Sequence, residues 1–267
     1  MRKIRLYSDL HQEHKSDQFK IEKIENEQDQ ILILAGDIAH LKSIMKGQYD
    51  DFFRDLNERF YAIFYVMGNH EYYEKFVFGD KNESNKIKNY FSKFNKINIM
   101  DRYQSPVIID NVVFVGATLF TNLNKMPPSL IEKSSNDFKF IKYVNEGRYS
   151  KFKPNHWLRE FNLDFTYIAK VVKDNADKKI VVITHHAVSE KSFDLIEDPT
   201  SNYTEFYRSK LDNFIKDNEN IVFWAYGHIH TGSDFMVGKT RIKSNPIGYY
   251  NINDNEKESL VNIDWKI

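Results

Sequence analysis

Residues able to bind a metal ion follow five short apolar runs of this 267-residue chain. The runs end in Asp9-Leu10-His11, Gly36-Asp37, Gly68-Asn69-His70, His185-His186 and Gly227-His228-Ile229-His230. Carboxylate, imidazole and amide groups are ligands for hard and borderline cations. One such ending is usually a turn or a helix cap, but five of them in a chain with nine histidines indicate a metal site.

Glycine directly precedes a candidate ligand at three of these endings, at Gly36, Gly68 and Gly227. Glycine suits positions where the chain needs a positive φ or a close approach of two backbones. The pattern therefore predicts tight loops around a small ion.

The apolar runs themselves predict the strands that position these loops, at residues 4–8, 31–35, 61–67, 107–117, 180–184 and 221–226. Asp110-Asn111 predicts a hairpin turn inside the fourth run. Helical spacing recurs in residues 49–60, 87–94 and 157–172. The alternation predicts an α/β sandwich, with antiparallel pairing at the hairpins and in the closing segment 260–265. Because strand carboxyl ends face the ligand crevice in open α/β sheets, the five endings should converge.

Composition narrows the class of protein. The 38 basic and 38 acidic side chains cancel, so no overall field favours nucleic acid or an anionic membrane. The absence of cysteine excludes disulfides, zinc–thiolate sites and thiol nucleophiles. The first apolar run meets Asp9 too soon for a signal sequence, and no stretch reaches membrane-spanning length. We expect a cytoplasmic enzyme without a membrane partner, and the sequence does not indicate its oligomeric state.

Residues 121–154 show no clear period and contain Pro127-Pro128 and Ser134-Ser135. This pattern predicts a long excursion from the fold. Either it forms a cap that shapes access to the substrate, or it is a surface loop. With this excursion included, residues 1–267 are expected to form one domain.

The ordered blocks Asp-x-His, Gly-Asp, Gly-Asn-His-Glu, a strand-terminal His and Gly-His-x-His resemble the calcineurin-like metallophosphoesterase superfamily over nearly the whole chain. The resemblance implies a four-layer α/β/β/α sandwich, with mixed sheets flanked by helices and a dinuclear metal centre. In that centre one metal would be held by Asp9, His11 and His230, and the other by Asn69, His185 and His228. Asp37 would bridge both metals.

The implied chemistry is hydrolysis of a phosphate ester. A water between two cations becomes hydroxide near neutral pH and can attack phosphorus, while the cations neutralise charge in the transition state. His70 is expected to contact that transition state or to protonate the leaving group. Glu71 has two interpretations, as a residue that orients His70 or as an exposed carboxylate at a helix start. His186 is expected to make a supporting hydrogen bond or to line the pocket.

The remaining histidines match no block of the family. His14, His40 and His156 are predicted to be surface or loop residues, although His40 follows the Gly-Asp block and could border the substrate.

Two well-known branches of the superfamily have residues that this chain lacks, which narrows the choice of branch. The block from Gly36 to His40 lacks the arginine of the protein serine/threonine phosphatases and the tyrosine ligand of the purple acid phosphatases. Residues 8–11, 184–187 and 245–249 resemble small bacterial phosphoesterases of undefined substrate. The prediction is therefore a phosphatase or phosphodiesterase for a small-molecule or nucleotide ester. Manganese is the expected metal, and the ligand set also suits iron and zinc.

Two alternatives remain at this point. A nuclease of the same superfamily would need the same blocks and also a basic groove, which the neutral net charge disfavours. A non-catalytic scaffold could keep the fold to bind partners, but it would have no need for a complete ligand set or for His70.

Overall fold

The computed structural model describes residues 2–74, 77–145, 147–193 and 204–249. The strands in these residues are β1 (Lys3–Tyr7), β2 (Gln30–Ala35), β3 (Ala62–Val66), β4 (Val77–Phe78), β5 (Ile97–Met100), β6 (Val107–Ile109), β7 (Val112–Ala117), β8 (Lys142–Asn145), β9 (Arg148–Lys151), β10 (Lys179–Thr184), β11 (Ile221–Tyr226), β12 (Ser233–Val237) and β13 (Thr240–Ser244). The α-helices are α1 (Leu41–Ile44), α2 (Asp50–Arg59), α3 (Lys81–Phe91), α4 (Pro128–Ser134), α5 (Asp137–Phe140), α6 (Pro154–Asp174), α7 (Thr204–Tyr207) and α8 (Asp212–Asp217). Short 3₁₀ helices lie at Gln12–His14, Glu27–Asp29, His70–Tyr72, Leu123–Lys125 and Glu190–Phe193.

Two sheets form the centre of the molecule. The first has the order β1-β2-β3-β5, and all of its pairings are parallel. The second has the order β12-β13-β11-β10-β7-β6, with four parallel strands in the middle and antiparallel strands at both edges. The six predicted apolar runs all lie in these sheets. Strand β5 was not predicted, because a run of four residues is too short for a periodic signal.

The sheets pack face to face through alternate residues of each strand. In β2, Ile31 and Ile33 join the core between the sheets, whereas Leu32 and Leu34 point to the outer side. The rings of Phe64 in the first sheet and Phe114 in the second stack at 4.3 Å. Helices α2 and α3 cover the outer face of the first sheet, and α6 packs beside β7 on the second. The expected four-layer α/β/β/α sandwich is thus the observed architecture.

The hairpin between β6 and β7 forms at the predicted turn. Ile109 pairs with Val112, which leaves Asp110 and Asn111 as a two-residue loop. Their φ angles of 49° and 63° are those of a type I′ turn, which aspartate and asparagine tolerate better than most residues. The other predicted antiparallel segment, residues 260–265, lies outside the described residues.

The excursion at residues 121–154 contains α4, α5, β8 and β9. Strands β8 and β9 pair with each other, and β8 also pairs with β4 to make a small third sheet. Phe138 and Phe152 stack at 5.6 Å inside this region. Its elements are four to seven residues long, which explains why the sequence shows no extended period there.

Within the described part of the chain, no helix combines the length and the apolar character that a bilayer span requires.

Candidate metal centre

The five predicted loops meet at one edge of the sandwich, where the carboxyl ends of β1, β2 and β3 face those of β10 and β11. Backbone hydrogen bonds join the loops to one another. The N–H of His11 donates to the carbonyl of Asp37 at 3.0 Å, and the N–H of Gly227 donates to the carbonyl of His185 at 2.9 Å. The loops that carry the candidate ligands therefore support each other even though they are far apart in sequence.

Several of these loops have unusual backbone geometry. Asp9, His11, Asp37 and His228 adopt φ angles of 54°, 45°, 54° and 68°. Non-glycine residues seldom adopt this left-handed region, at a cost of about 1–3 kcal/mol each, and such strain clusters at functional sites. The surrounding fold holds these four side chains in directions that an extended chain would not give them.

The glycines have the roles that the sequence predicts. Gly36 has a φ of 88°, and a side chain there would collide with the ring of His185. A side chain at Gly68 would collide with the Asp37 carboxylate, and one at Gly227 would lie 2.7 Å from the carbonyl oxygen of Ala35. All three positions allow the loops to approach closely.

The first group of candidate ligands is Asp9, His11 and His230. The Nε2 atoms of His11 and His230 are 3.1 Å apart. Nε2 of His230 lies 3.4 Å from Oδ1 of Asp9. Asp9 and His11 are buried, whereas His230 is 29% exposed. The open side of this group therefore lies at His230.

The second group is Asn69, His185 and His228. Nε2 of His185 lies 3.0 Å from Oδ1 of Asn69 and 3.2 Å from Nδ1 of His228. Asp37 lies between the two groups, since its Oδ2 is 3.8 Å from Nε2 of His11 and 3.4 Å from Nε2 of His185. The side chains of all seven predicted ligands thus lie close together, and their division between two metals stays a prediction.

These distances fit the first coordination shells of divalent cations. With ligand bonds of about 2.0–2.1 Å, neighbouring ligand atoms lie roughly 3 Å apart. In each of the clusters Asp9–His11–His230 and Asp37–His185–His228, one ligand atom per residue lies within 4.8 Å of the others. The donors are imidazole nitrogen and carboxylate or amide oxygen, which suit manganese, iron and zinc.

The electrostatics of the second group also favour a cation. Burial opposes a charge on His185, but Asp37 outweighs it and raises the pKa of His185 to about 10. The same negative charge would stabilise a divalent ion. The pKa of His228 is held well below its usual value by burial and by the neighbouring His186 and His185, which keeps its ring neutral as ligation requires.

A supporting contact fixes how the side chain of His185 points. Nδ1 of His185 donates to the carbonyl of Ala35 at 2.9 Å, so Nε2 faces the other ligands. His186 lies beside them with its ring 4.1 Å from that of His228, and burial keeps its pKa well below the usual value. Of its two expected roles, a supporting hydrogen bond or a place in the pocket lining, the hydrogen bond is observed, since Nδ1 lies 3.5 Å from the carbonyl oxygen of Thr118.

Glu13 is a residue that the sequence analysis missed. Its Oε1 lies 3.3 Å from Nδ1 of both His11 and His70, and 3.6 Å from Nε2 of His40. Burial alone would raise the pKa of Glu13, but the hydrogen bonds with His11 and His70 lower it to about 2. Glu13 therefore orients a candidate ligand and the candidate catalytic histidine together. The alternating spacing of Asp9, His11 and Glu13 is the signal that could have identified it.

The structure corrects the interpretation of Glu71, because neither predicted role is observed. The side chain is fully buried, and its hydrogen bonds go to residues other than His70. Its oxygens accept the backbone N–H groups of Asp37, Ile38 and Gly68 at 2.7–2.9 Å, and the Tyr65 hydroxyl at 2.7 Å. Burial and the Asp37 carboxylate raise its pKa, and the four donors stabilise the ionised form against this effect. Glu71 thus holds the Asp37 loop in place.

His70 contacts the first group and the residue between the groups. Its ring lies 4.5 Å from that of His11, and its backbone N–H donates to Oδ1 of Asp37 at 2.8 Å. Ligand atoms of His11, Glu13 and His70 also lie within 4.8 Å of one another. Nδ1 of His70 faces Glu13, and Nε2 lies 3.1 Å from the hydroxyl of Tyr249. The ring stacks on Tyr73 at 4.2 Å. Burial lowers the pKa of His70, but the Asp37 carboxylate and Glu13 together raise it to about 9. The imidazole is therefore cationic at neutral pH and can donate a proton.

The three histidines outside the family blocks, His14, His40 and His156, lie in different environments. The side chain of His14 is 47% exposed and that of His40 is 13% exposed, and both lie near Glu13 at the rim of the site. His156 lies in the first turn of α6, where its ring stacks at 4.1 Å on Tyr143 of the excursion, away from the candidate ligands. The surface prediction therefore fits His14, while His40 borders the site.

Comparison with known proteins agrees with this geometry. Residues 2–232 match the model of the calcineurin-like phosphoesterase family. An uncharacterized protein, L509 of Acanthamoeba polyphaga mimivirus, is 32% identical over an alignment of 275 positions that covers 93% of this chain and 92% of the viral protein.

Solved structures show the same fold. The phosphopantetheinyl hydrolase PptH of Mycobacterium tuberculosis superposes with a TM-score of 0.69 at 18% identity, covering 93% of this chain and 90% of that one. A dimetal phosphatase of Danio rerio superposes with a TM-score of 0.50 at 12% identity, and the alignment covers 93% of this chain and 88% of that one. The predicted family is confirmed: the chain belongs to the calcineurin-like phosphoesterases, a family of phosphoester hydrolases.

Proposed function

We propose that this protein hydrolyses a phosphate mono- or diester with two divalent cations. Asp9, His11 and His230 would hold one cation, and Asn69, His185 and His228 the other. The observation that carries the proposal is the position of Asp37, whose Oδ2 lies 3.8 Å from Nε2 of His11 and 3.4 Å from Nε2 of His185. A carboxylate in that place can bridge two ions.

The bound cations would acidify a water between them and neutralise charge on the phosphate oxygens. The chain itself supplies orientation. Glu71 fixes the Asp37 loop, Ala35 fixes the tautomer of His185, and Glu13 fixes the ring of His11. Little reorganisation would then be needed when the substrate binds, and preorganisation of this kind is a large part of catalysis.

His70 is proposed as the residue that contacts the transition state and protonates the leaving group. Its Nε2 lies on the rim, at 3.1 Å from the hydroxyl of Tyr249, and is the ring nitrogen that a substrate could reach. Glu13 holds Nδ1 and helps to keep the ring protonated. A positioned imidazolium is suited to donate a proton to the departing oxygen.

The surroundings support a small substrate, such as a nucleotide or another organic phosphate. Tyr249 and Tyr207 are 40% and 38% exposed, and their rings lie 4.3 Å from His11 and 5.3 Å from His228. Phe140 is 43% exposed and lies 5.2 Å from Tyr73. Aromatic walls with a few polar groups are typical of small-molecule sites. We also propose manganese as the metal, residues 1–267 as one domain and the cytoplasm as the location.

A direct test starts from protein stripped of metal and reloaded with manganese. Hydrolysis of an aryl phosphodiester is compared with hydrolysis of the matching monoester. We expect manganese-dependent turnover of at least one ester, strongly reduced in Asp37→Asn and in His70→Gln. Turnover that is independent of metal, or equal in Asp37→Asn and wild type, would contradict the proposal.

A further inference from the structure

The excursion at residues 121–154 reaches the candidate metal centre through one side chain. Asp137, the first residue of α5, is 1% exposed. Its Oδ1 accepts hydrogen bonds from Nδ2 of Asn69 at 2.8 Å and from the hydroxyl of Tyr73 at 2.6 Å. Its own backbone N–H donates to Oγ of Ser135 at 3.0 Å, which helps to fix the start of the helix. A buried carboxylate thus contacts a candidate ligand directly.

This contact decides which end of the Asn69 side chain faces the second group. An amide has a donating nitrogen end and an accepting oxygen end, and only the oxygen is a ligand for divalent cations. Nδ2 of Asn69 donates a hydrogen bond to Asp137, and it also lies 3.3 Å from the hydroxyl oxygen of Tyr73. Oδ1 is consequently turned towards His185, whose Nε2 lies 3.0 Å away.

A carboxylate is well suited to this task. When ionised it only accepts hydrogen bonds, so it can receive the Nδ2 end of Asn69 and would repel the oxygen end. Burying a charge is costly unless hydrogen bonds compensate for it, and here two donors converge on one oxygen.

We propose that Asp137 is a positioning residue, which orients the amide oxygen of Asn69 towards the second metal. The inference rests on the proposed function, because it assumes that Asn69 is a ligand. It assigns the excursion a part in metal binding, in addition to any part in substrate access. It also links the excursion to His70, since Tyr73 donates to Asp137 and stacks on the ring of His70.

The test measures manganese binding to metal-free protein by isothermal titration calorimetry, with manganese alone as the ligand. Wild type should bind two equivalents. In Asp137→Ala one equivalent should bind about 10–100-fold more weakly, as is usual when a ligand's supporting partner is removed, while the other keeps its affinity. Asp137→Ser serves the same purpose if the alanine variant does not fold, and folding of every variant is checked by circular dichroism.

Two further variants separate positioning from a general structural role. Asp137→Asn retains an oxygen that can accept both hydrogen bonds, so it should recover most of the lost affinity. In an Asn69→Ala background, Asp137→Ala should weaken binding no further, because the effect passes through Asn69. Asp101→Ala is the matched control, since Asp101 binds Ser84 and the backbone of Tyr103 and has no contact with the candidate ligands.

Unchanged affinities in folded Asp137→Ala or Asp137→Ser would overturn the inference, and so would an equal loss at both sites. An additive loss in the Asn69→Ala background would overturn it as well. If wild type binds two manganese ions but hydrolyses no ester, the proposed function fails while the calorimetry still decides the role of Asp137. If wild type binds fewer than two, both proposals fail.

Discussion

The two candidate ligand groups lie side by side but differ in how they are held. Asn69 and His185 of the second group are 4% and 0% exposed, and His228 is half-buried. The orientations of Asn69 and His185 are fixed by Asp137 and by the carbonyl of Ala35. The first group ends in His230, which is 29% exposed and lies 4.6 Å from the ring of the half-exposed Tyr249.

The two groups therefore differ in how firmly the fold holds their side chains in place before a metal binds. Buried hydrogen-bond networks hold the second group in one arrangement, so its metal should bind tightly and exchange slowly. The first group is completed by a side chain at the surface, and its metal should exchange more readily. The comparison therefore predicts a tight site and a labile site in one centre, bridged by Asp37.

The largest effect is expected from replacing His185, the fully buried histidine of the second group. His185→Ala should lose its metal and reduce kcat/KM by more than about 10⁴-fold, since acid–base catalysis alone contributes about 10²–10⁴-fold and the cations are expected to add more. His230→Ala should lose activity at low manganese but recover much of it as manganese is raised. The measurement is ester hydrolysis as a function of manganese concentration. If high manganese restored the activity of His185→Ala but not that of His230→Ala, the first group would hold the tight site and the prediction would be wrong.

A smaller loss is expected for the residue that borders both groups. His70→Gln should lower kcat by about 10²–10³-fold with both metals retained, because it removes a proton donor. The raised pKa of His70 means that its acid form is present below about pH 9 and is lost above it. Bound cations repel the imidazolium, so the alkaline decline of wild-type kcat should fall at or below that pH. A variant with the same alkaline decline as wild type would contradict the assignment.

A substitution at Glu71 tests how firmly the fold holds the loop of Asp37, the residue proposed to bridge the two metals. Glu71→Gln places an amide N–H₂ against N–H and O–H donors, and we expect it to lower the free energy of unfolding by about 2–3 kcal/mol. Urea denaturation of the metal-free protein measures this effect. Glu58→Gln, at an exposed carboxylate of α2, is the control and should change stability by less than about 0.5 kcal/mol. Equal stability of the two variants would show that the buried contacts of Glu71 contribute little.

The smallest effect on activity is expected from a substitution of Tyr249, on the solvent-exposed side of the first group. Tyr249→Phe removes the hydroxyl 3.1 Å from Nε2 of His70 and keeps the ring beside His11. The loss of one hydrogen bond, about 1 kcal/mol, predicts a roughly fivefold decrease in kcat with unchanged manganese affinity. A change in metal affinity in this variant would show that Tyr249 supports the first group more strongly than its position indicates.

The sequence predicted those parts of the molecule that have a local pattern. Strands such as β2 and β10 are continuous apolar runs, and the loops after them contain glycine and a ligand type at adjacent positions. The convergence of those loops follows from the rule for strand carboxyl ends. The family resemblance divided the candidate ligands into two sets, and this division stays a prediction.

The supporting residues could not be predicted, because their roles depend on contacts between distant segments. Asp137 lies in an excursion without periodicity and meets Asn69 across 68 positions. Glu71 follows His70 directly, but its partners belong to the Asp37 loop and to β3. Glu13 becomes a shared hydrogen-bond partner only after His70 and His40 have been brought beside it by the fold.

The most direct test of the central claim is anomalous diffraction at the manganese edge from crystals of the manganese-loaded protein. The account predicts two peaks roughly 3.5–4 Å apart, with Asp37 bound to both. Asp9, His11 and His230 should surround one peak, and Asn69, His185 and His228 the other. A single peak, or peaks bound by other side chains, would contradict the proposed dinuclear centre.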